Sequence, residues 1–424
     1  MNEVEEKKKL GLTTKIFISL IAGAIVGIVL NMFAADVDFV QNVLVNGVFY
    51  VVGQGFIRLM QMLVVPLVFC SLIGGATAIG DSKTLGKVGV KIIGFYIFTT
   101  MMAVAVALGI GLLIKPGMGL DMSQIQTAEV TASSDSVSFA ETLLNIIPKN
   151  PIGALANGEM LQVIVFALII GVILAKLQDK TQLVTNFFQQ GNDIMMEMTM
   201  MVMGLAPIGV FCLISKTFAG LGFSAMVPMF KYMGAVLLAL FIQCCGVYQI
   251  LLALLTRLNP LRFLKKFAPV MGFAFSTATS NATIPMNIDT LEEKIGVNRR
   301  ISSFTIPLGA TINMDGTSIM QGVAVVFVAQ AFGIQLTPAD YLTVIATATL
   351  ASIGTAGVPS VGLVTLAMVF DSVGLPVAGI GLIMGIDRIL DMARTAVNIT
   401  GDAVCTTIVA HQDGALDKSV FNKN

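Results

Sequence analysis

Long runs of apolar residues without Asp, Glu, Lys or Arg recur along the chain and predict membrane-spanning helices. A helix needs about 20 such residues to cross roughly 30 Å of hydrocarbon. Runs of this class, with edges that extend through a few charges, cover 16–35, 59–80, 92–114, 160–175, 198–215 and 232–256. The first run is too long for a cleaved signal peptide and no A-x-A site follows it, so we count it as a membrane crossing. With the other five runs, we expect six crossings.

The loop charges predict which side of the membrane each loop occupies, because Lys and Arg are enriched in cytoplasmic loops. Lysines precede the first run, and Lys or Arg residues follow the second, fourth and sixth runs. The stretch after the third run, 115–155, is rich in Ser and Thr and carries acidic residues. We therefore predict a cytoplasmic N-terminus and an external 115–155 loop.

Two further apolar segments are predicted to enter the membrane and return. Segment 267–288 is uncharged and rich in Ser, Thr and Asn, yet the loop after it carries Lys294, Arg299 and Arg300, which again indicates the cytoplasm. Segment 341–370 has SIGTAGVPSVG at its middle and lies between Asp340 and Asp371. Broken, polar segments in corresponding positions indicate an inverted repeat with a midplane site. The alternative is a pair of kinked helices packed by small residues.

Crossing helices at about 301–330 and 376–410 complete the predicted topology. The fold class is therefore an all-α polytopic membrane protein with eight transmembrane helices, two re-entrant helical hairpins and both termini in the cytoplasm. Only 12% of the residues are charged and 56% are hydrophobic, whereas a soluble domain carries about 25% charged residues. This composition excludes a soluble enzyme. The balance of 25 basic and 25 acidic residues lacks the basic excess that is typical of nucleic-acid-binding proteins.

Charged and polar residues of the last helix fall on one face. Positions 387, 391, 394, 395, 398 and 402 lie within an arc of about 100°, with Arg388 at its edge. The preceding helix contributes Asn313, Asp315, Thr317 and Gln321. An isolated charge at membrane depth costs at least roughly 2.5–3.5 kcal/mol. We therefore expect these residues to meet partners, water or ligands.

The charges of this polar set do not balance. Asp315, Asp387, Asp391 and Asp402 face only Arg388 and Arg394, which leaves two negative charges for bound cations. Oxygen ligands suit hard cations rather than zinc or copper, and a guanidinium suits a carboxylate substrate. The set predicts a cation-coupled symporter for a carboxylated solute. Asp387 and Arg388 could instead form a structural link between helices.

Several motifs carry a resemblance to a known family. NMDGT at 313–317, SIGTAGVP at 352–359 and D-M-x-R-T-x-x-N-x-x-x-D at 391–402 occur in order, with PKNPIGALANG at 148–158 and APIGVF at 206–211. Over nearly its whole length the chain resembles the dicarboxylate/amino acid:cation symporters, the family of glutamate and aspartate transporters. The resemblance implies a glutamate-transporter-like fold with inverted repeats, a homotrimer in the inner membrane, and an elevator-type mechanism.

The resemblance also implies a division into domains. The scaffold would comprise 1–80 (helices 1 and 2) and 119–220 (helices 4 and 5). The transport domain would comprise 81–118 (helix 3) and 221–414 (helix 6, hairpin 1, helix 7, hairpin 2 and helix 8), followed by a cytoplasmic tail, 415–424.

Roles for site residues follow from the same resemblance. Asp391 would bind the substrate amino group and Arg394 its side-chain carboxylate. The remaining substrate contacts would come from the hydrogen-bonding side chains of Thr317, Thr395 and Asn398 and from the backbone of Ala278, Thr279, Ser280 and the stretch Val358 to Gly362.

More than one sodium ion would bind. One site would use Asp402 with the carbonyls of Gly309, Asn313 and Asn398; a second would use the carbonyls of Thr311, Ser352, Ile353 and Thr355; a third would use Asp315, Asn313, Thr99, Thr100 and the Tyr96 carbonyl.

The chain departs from the family where many members carry an arginine. Ala278 stands at the tip of the first hairpin and Met392 follows the amino-binding aspartate. We hypothesise that Arg388, one turn before Met392, supplies the missing positive charge near Asp391.

The expected function is a sodium-coupled symporter that moves aspartate or glutamate into the cell. Alternatives are a C4-dicarboxylate or neutral amino acid symporter of the same family, or coupling to protons. We expect no enzyme: Asp402 lacks the Tyr-Asp and Gly-x-Gly-Asp contexts of intramembrane aspartyl proteases, and Gly86-Lys87 lacks the upstream glycine of a P-loop.

Overall fold

The computed structural model describes residues 12–34, 37–77, 83–120, 147–221, 226–353, 361–384 and 386–423. Helices make up nearly all of this part of the chain. The helices of the first half are α1 (Leu12–Phe33), α2 (Tyr50–Thr77), α3 (Lys83–Ile114), α4 (Pro151–Asn157), α5 (Met160–Leu177), α6 (Gln182–Gly204), α7 (Ala206–Leu221), α8 (Met226–Phe241) and α9 (Tyr248–Thr256). The π-helical segment Val40–Phe49 leads into α2, and a second one, Ile242–Val247, joins α8 to α9.

The second half is a series of shorter helices joined by tight connections. They are α10 (Pro260–Thr277), α11 (Ser280–Thr290), α12 (Arg299–Ile312), α13 (Asp315–Ala331), α14 (Pro338–Ile353), α15 (Val361–Ser372), α16 (Ile380–Met384), α17 (Asp387–Gln412) and α18 (Lys418–Asn422). Asparagine caps set two of the starts: Asn259 accepts a hydrogen bond from the Arg262 amide at α10, and Asn298 accepts one from the Arg300 amide at α12. Pro260 then occupies the first helical position of α10, where no amide hydrogen is needed.

Several of the described helices are long and apolar enough to cross a membrane. Five pass by length and composition, or six if the two helices bent by 51° around Leu205 count as one span. The apolar side chains of α1 at Ile18, Ile21, Ile25 and Met32 are exposed along one face, as a lipid-facing or subunit-facing stripe would be. The predicted eight crossings, the re-entry and the sidedness stay predictions.

The helices pack in two groups. α1 packs mainly on α7, and α2 packs on α5, α6 and α7. α3 packs on α8, α13 and α14, while α17 is surrounded by α3, α9, α10, α12 and α13. As a result α17 is buried on all sides from Arg394 to Ala410. Its predicted polar face therefore points at other helices rather than at open solvent.

Both segments predicted as hairpins contain a helix break. α10 and α11 pack against each other and are separated by Ala278 and Thr279. Ala278 takes a left-handed conformation with a φ of 51°, which an alanine seldom adopts and which ends α10 abruptly. α14 and α15 also pack together, but residues 354–360 between them lie outside the described residues.

Two predicted helices are interrupted in the structure. The single helix expected at 301–330 is divided at Asn313 and Met314, whose backbone angles are not helical. The helix expected to begin near 376 begins instead at Asp387, after the turn Val377–Gly379 and the short α16. The stretch 374–385 contains four glycines, and glycine lowers helix propensity by about 1 kcal/mol relative to alanine.

The C-terminal segment 413–423, here called the strap, folds back on the helix ends instead of extending away as a tail. The Asn298 amide donates to the Ala415 carbonyl at 3.0 Å, and the Asp417 amide donates to the Gly296 carbonyl at 2.8 Å. Phe421 is 1% exposed. The Lys266 ammonium donates to the carbonyls of Lys294, Phe421 and Lys423 at 3.1, 2.9 and 2.9 Å. This lysine thus joins α10, the connection after α11, and the strap.

We expect Lys266→Met to lower the thermal stability of the protein. The substitution removes charge-assisted hydrogen bonds to carbonyls at the ends of helical turns. The apparent Tm of the purified protein in detergent should fall by roughly 2–4 °C. The matched control is Lys265→Met, because Lys265 is exposed and carries the same side chain one position earlier. Equal Tm values for the two variants would contradict this role of Lys266.

Candidate functional site

A cluster of buried polar side chains lies where α17 meets α3, the α12–α13 break, and the π-helical segment before α9. Its members share an exposure of 7% or less and are Thr99, Thr100, Gln243, Asn313, Asp315, Thr317, Asp387, Asp391, Arg394, Thr395, Asn398 and Asp402. Buried polar groups are costly unless they are paired. The pairing within the cluster therefore indicates what each group can do.

Four residues at the start of α17, here called the Arg–Asp cluster, form a network of ion pairs. Arg394 is 1% exposed; its Nη1 lies 2.6 Å from Asp387 Oδ1 and its Nη2 lies 2.8 Å from Asp391 Oδ1. Arg388 Nη1 lies 3.3 Å from Asp391 Oδ2. The ion pairs of Asp387 with Arg394 and of Arg388 with Asp391 thus lie within α17.

The Arg–Asp cluster keeps unused hydrogen-bonding capacity. Arg394 Nε and Asp387 Oδ2 are buried and have no hydrogen-bond partner among the described residues. An Arg side chain offers five N–H donors in a planar fork, which matches the two oxygens of a carboxylate. Arg394 can therefore donate hydrogen bonds to a further anionic group. The neighbouring Asp391 carboxylate can attract a cationic group at the same time.

The break between α12 and α13 is held against α17 by side-chain amides. Asn398 Oδ1 accepts a hydrogen bond from the Gly316 amide at 2.7 Å. Asn313 Nδ2 donates to Asp402 Oδ1 at 2.8 Å and to the Asn398 carbonyl at 3.3 Å. The first of these bonds satisfies the Gly316 amide, one of the N–H groups that the start of α13 leaves without a partner inside the helix.

Two glycines allow this close approach. A Cβ at Gly316 would lie 2.7 Å from the Arg394 carbonyl oxygen. A Cβ at Gly309 would lie 2.5 Å from Asp402 Oδ1 and 2.7 Å from the Tyr96 hydroxyl oxygen. Any side chain at either position would push the α12–α13 pair away from α17 or from α3.

Asp315 is surrounded by donors from three other elements, which are α3, the π-helical segment Ile242–Val247 and α9. Its Oδ1 accepts from Thr100 Oγ1 at 2.5 Å, and its Oδ2 accepts from the Tyr248 hydroxyl at 2.7 Å and from Gln243 Nε2 at 3.3 Å. Sequence reasoning missed Gln243 and Tyr248. The available signal was their polarity within the otherwise apolar run 232–256.

The Tyr96–Thr100 turn of α3 lies beside the same carboxylate. Thr99 Oγ1 and Thr100 Oγ1 lie 3.1 and 2.8 Å from the Tyr96 carbonyl oxygen. Thr99 Oγ1 also lies 3.5 Å from Asn313 Oδ1. Hydroxyl, amide and carbonyl oxygens therefore converge next to Asp315, which is the donor set that a hard cation prefers.

Two carboxylates of the cluster lack a cationic partner. Within the described part of the chain, no Lys, Arg or His nitrogen lies within 4.0 Å of Asp315 or Asp402, whereas Asp387 and Asp391 are both paired with Arg394. Asp315 and Asp402 are 0% and 1% exposed. The two unbalanced negative charges that the sequence indicates therefore fall on these residues.

The other predicted substrate residues occupy three places around the Arg–Asp cluster. Thr395 Oγ1 donates to the Asp391 carbonyl at 2.8 Å. A Cβ at Gly362 would lie 2.8 Å from Thr317 Cγ2 and 3.7 Å from Arg394 Nη2, so Gly362 adjoins both. Ala278, Thr279 and Ser280 form the turn between α10 and α11, and both of these helices contact α17.

The predicted sodium ligands near the second hairpin are described only in part. Ser352 and Ile353 end α14, and Ser352 is buried. Thr311 lies in the last turn of α12, where its hydroxyl donates to the Leu308 carbonyl at 2.9 Å. Thr355 and Val358 lie outside the described residues. Gln321 Nε2 donates to Thr365 Oγ1 at 2.8 Å, which ties α13 to α15.

The sequence matches one known protein family over nearly its whole length. The model of the sodium:dicarboxylate symporter family matches residues 12–412. The chain belongs to this family. As a member of the sodium:dicarboxylate symporter family with several apolar helices, it is a multi-pass membrane transport protein.

Curated members of the sodium:dicarboxylate symporter family are similar over most of their length. The chain is 37% identical to the proton/glutamate-aspartate symporter of Bacillus subtilis over 86% of this chain and 88% of that protein. It is 35% identical to the proton/sodium-glutamate symport protein of Bacillus caldotenax over 96% of both. It is also 34% identical to the neutral amino acid transporter B(0) of Oryctolagus cuniculus, over 85% of this chain and 72% of that protein.

Proposed function

We propose that the protein is a secondary symporter that takes up aspartate or glutamate with sodium. The observation that carries this proposal is the buried pairing of Arg394 with Asp391 at 2.8 Å. A guanidinium and a carboxylate side by side complement a solute that bears both a carboxylate and an ammonium group. The names of the bacterial relatives, a glutamate-aspartate symporter and a glutamate symport protein, support an acidic amino acid.

In this proposal the Arg–Asp cluster binds the amino group and the side-chain carboxylate of an acidic amino acid. Asp391 binds the amino group, and Arg394 binds the side-chain carboxylate with the support of its unused Nε. Thr317, Thr395 and Asn398 donate or accept hydrogen bonds around the solute. The turn Ala278–Ser280 and the stretch from Val358 to Gly362 hold the α-carboxylate through backbone groups.

Sodium ions would neutralise the two carboxylates that have no cationic partner. Asp315 would bind one ion with Asn313, Thr99, Thr100 and the Tyr96 carbonyl. Asp402 would bind another with the carbonyls of Gly309, Asn313 and Asn398. A third ion would use the carbonyls of Thr311, Ser352, Ile353 and Thr355.

Sodium and solute binding would then be linked. Gly316 and Asn398 connect the α12–α13 break directly to the helix that carries Asp391 and Arg394. Because the ion ligands and the solute ligands share these elements, each ligand would raise the affinity for the other by the same factor. The ion gradient would thereby drive uptake.

Two helix groups support an elevator-type movement. α1, α2 and α5–α7 pack mainly within one group, and α3, α8–α14 and α17 mainly within another, while α15 and α16 also contact α2 and α7. We propose that 1–80 and 119–220 form a scaffold and that 81–118 and 221–414 form a transport domain. We propose that the scaffold forms a homotrimer in the inner membrane and that both termini are cytoplasmic.

Proton coupling is the second candidate. It is favoured by the name of the Bacillus subtilis relative, a proton/glutamate-aspartate symporter. It is also favoured by the burial of Asp315 and Asp402 without a cationic partner among the described residues, since a proton would also neutralise a buried carboxylate. The many oxygen ligands around Asp315 favour sodium instead. A C4-dicarboxylate would leave Asp391 without an ammonium partner, and a neutral amino acid would leave Arg394 without a second carboxylate.

We expect labelled aspartate to accumulate in proteoliposomes when an inward sodium gradient is applied at equal pH on both sides. Unlabelled glutamate should compete strongly, and succinate, serine and cystine weakly. Dissipating the sodium gradient should stop accumulation. Uptake that follows an inward proton gradient in sodium-free buffer would assign the coupling to protons and overturn the sodium sites.

A further inference from the structure

Gln243 places a side-chain amide against the carboxylate of Asp315. Its Nε2 lies 3.3 Å from Asp315 Oδ2 and 3.2 Å from the Thr99 carbonyl oxygen. Gln243 is fully buried, and its Oε1 has no hydrogen-bond partner among the described residues. A buried amide oxygen without a partner is costly and calls for an explanation. The amide therefore holds an unused acceptor beside a carboxylate that pairs with no described Lys, Arg or His.

The π-helical segment Ile242–Val247 directs this amide toward Asp315. In an α-helix, residues five positions apart lie about 140° apart around the axis. Gln243 and Tyr248 are five positions apart, yet both donate to Asp315 Oδ2. The Tyr248 amide donates to the Gln243 carbonyl, which is the hydrogen bond of a π-helix and brings both side chains to one side. The local backbone is thus built to present Gln243 to the carboxylate.

The Gln243 amide can present its oxygen where it now presents its nitrogen. The two ends of a side-chain amide are nearly equal in size, and the last torsion of glutamine is broad and roughly two-fold. Turning the amide over therefore needs no additional space. It would bring Oε1 next to the Thr99 carbonyl oxygen and Asp315 Oδ2. Oxygen atoms that face one another repel unless a cation lies among them, and such a set suits a hard cation.

We propose that Gln243 is a further ligand of the sodium ion at Asp315 and that its amide turns over when the ion binds. Without the ion, Nε2 donates to the carboxylate and separates it from the Thr99 carbonyl. With the ion, Oε1 joins the oxygen atoms of Asn313 and Thr100 as a ligand. This inference rests on the proposed function and adds a ligand to one of its ion sites.

The two states of the amide predict opposite effects when the amide is removed. If Gln243 only donated to the ion-free carboxylate, it would compete with sodium, and its removal would raise the affinity for sodium. If Gln243 binds the ion through Oε1, its removal lowers that affinity. A residue shifts a binding equilibrium only through the difference between its interactions in the two states. The direction of the change therefore distinguishes a ligand from a donor.

The test measures the aspartate Kd by calorimetry over a series of sodium concentrations at alkaline pH. The sodium concentration at which the aspartate affinity is half maximal is here called the sodium requirement. Gln243→Met replaces the amide with an apolar chain of similar length, and we expect it to raise the sodium requirement by about tenfold. At saturating sodium its aspartate Kd should return to near the wild-type value. Size-exclusion chromatography verifies that each variant is folded.

Gln243→Glu is the second variant, because it keeps an oxygen at this position and cannot donate a hydrogen bond once it is ionised. Its sodium requirement should stay near that of the wild type. Gln249→Met is the matched control. Gln249 is also buried, and its Oε1 also lacks a partner among the described residues, but its Nε2 donates to the Cys244 carbonyl at 3.0 Å. Its replacement should leave the sodium requirement unchanged.

A sodium requirement of Gln243→Met that equals or falls below the wild-type value overturns the inference. The inference is also overturned if Gln243→Glu requires as much sodium as Gln243→Met, or if the aspartate Kd of Gln243→Met stays raised at saturating sodium. Aspartate binding by the wild type that does not depend on sodium would be a different failure. It would overturn the proposed sodium coupling, and the inference with it.

Discussion

Arg394→Lys is expected to weaken aspartate binding by about a hundredfold while the protein stays folded. Lysine keeps a positive charge near Asp387 and Asp391, so the substitution does not leave two buried carboxylates without a cation. It replaces a planar fork of N–H donors with a single ammonium group that cannot bind a carboxylate through two parallel hydrogen bonds. Calorimetry at saturating sodium would measure the aspartate Kd, and size-exclusion chromatography would verify folding.

The control for this prediction is the same chemical change at a residue outside the cluster. Arg299 is 59% exposed at its side chain and pairs with Asp289 and Glu292, so Arg299→Lys should not alter aspartate binding. Serine lacks a second carboxylate, and its weak binding should change far less than that of aspartate. A parallel loss for serine and aspartate would indicate a general distortion of the site. An aspartate Kd within threefold of wild type would remove Arg394 from the list of substrate ligands.

The cost of charge at membrane depth is what predicts the candidate site from the sequence. Asp315, Asp391, Arg394 and Asp402 were identified because charges on helices that cross a membrane need partners or ligands. The helical period placed the residues of α17 on one face. Neither argument could determine which oxygen pairs with which nitrogen. That Arg394 is shared by Asp387 and Asp391 depends on side-chain rotamers, which the spacing along a helix leaves open.

Other features depended on contacts between distant parts of the chain. The break at Asn313 and Met314 carries no proline, and it is stabilised by Asn398 on a different helix. Gln243 and Tyr248 belong to a run that reads as an ordinary membrane helix, and only the packing of that run directs both side chains to Asp315. Such tertiary effects override local sequence preference, so a single sequence does not reveal them.

The C-terminal strap illustrates the same limit at the surface. The segment after residue 412 is short and rich in polar residues, which is typical of a free tail. The strap is held in place by backbone hydrogen bonds to Gly296 and Asn298 and by the hydrogen bonds that Lys266 donates to its carbonyls. Backbone hydrogen bonds between residues more than 100 positions apart leave no pattern in the sequence.

Asp402→Asn is expected to remove most of the dependence of aspartate binding on sodium. Asn has the shape of Asp but carries no charge, so a cation at this position would lose its only charged ligand. Asp402 is 1% exposed and accepts a hydrogen bond from Asn313. Because no described Lys or Arg pairs with Asp402, sodium is the proposed counter-charge of this carboxylate. The slope of log Kd for aspartate against log sodium concentration should become markedly shallower, by linkage between the two ligands.

Two comparisons separate an ion ligand from a residue that merely supports the pocket. Thr317→Ala should raise the aspartate Kd at every sodium concentration and leave the slope unchanged, because Thr317 is expected to contact the solute. Gly309→Ala should flatten the slope as Asp402→Asn does, since its methyl group would lie 2.5 Å from Asp402 Oδ1. Gly94→Ala on α3, where a methyl group meets open space, is its control. Equal slopes in Asp402→Asn and Thr317→Ala would argue that Asp402 does not bind the ion.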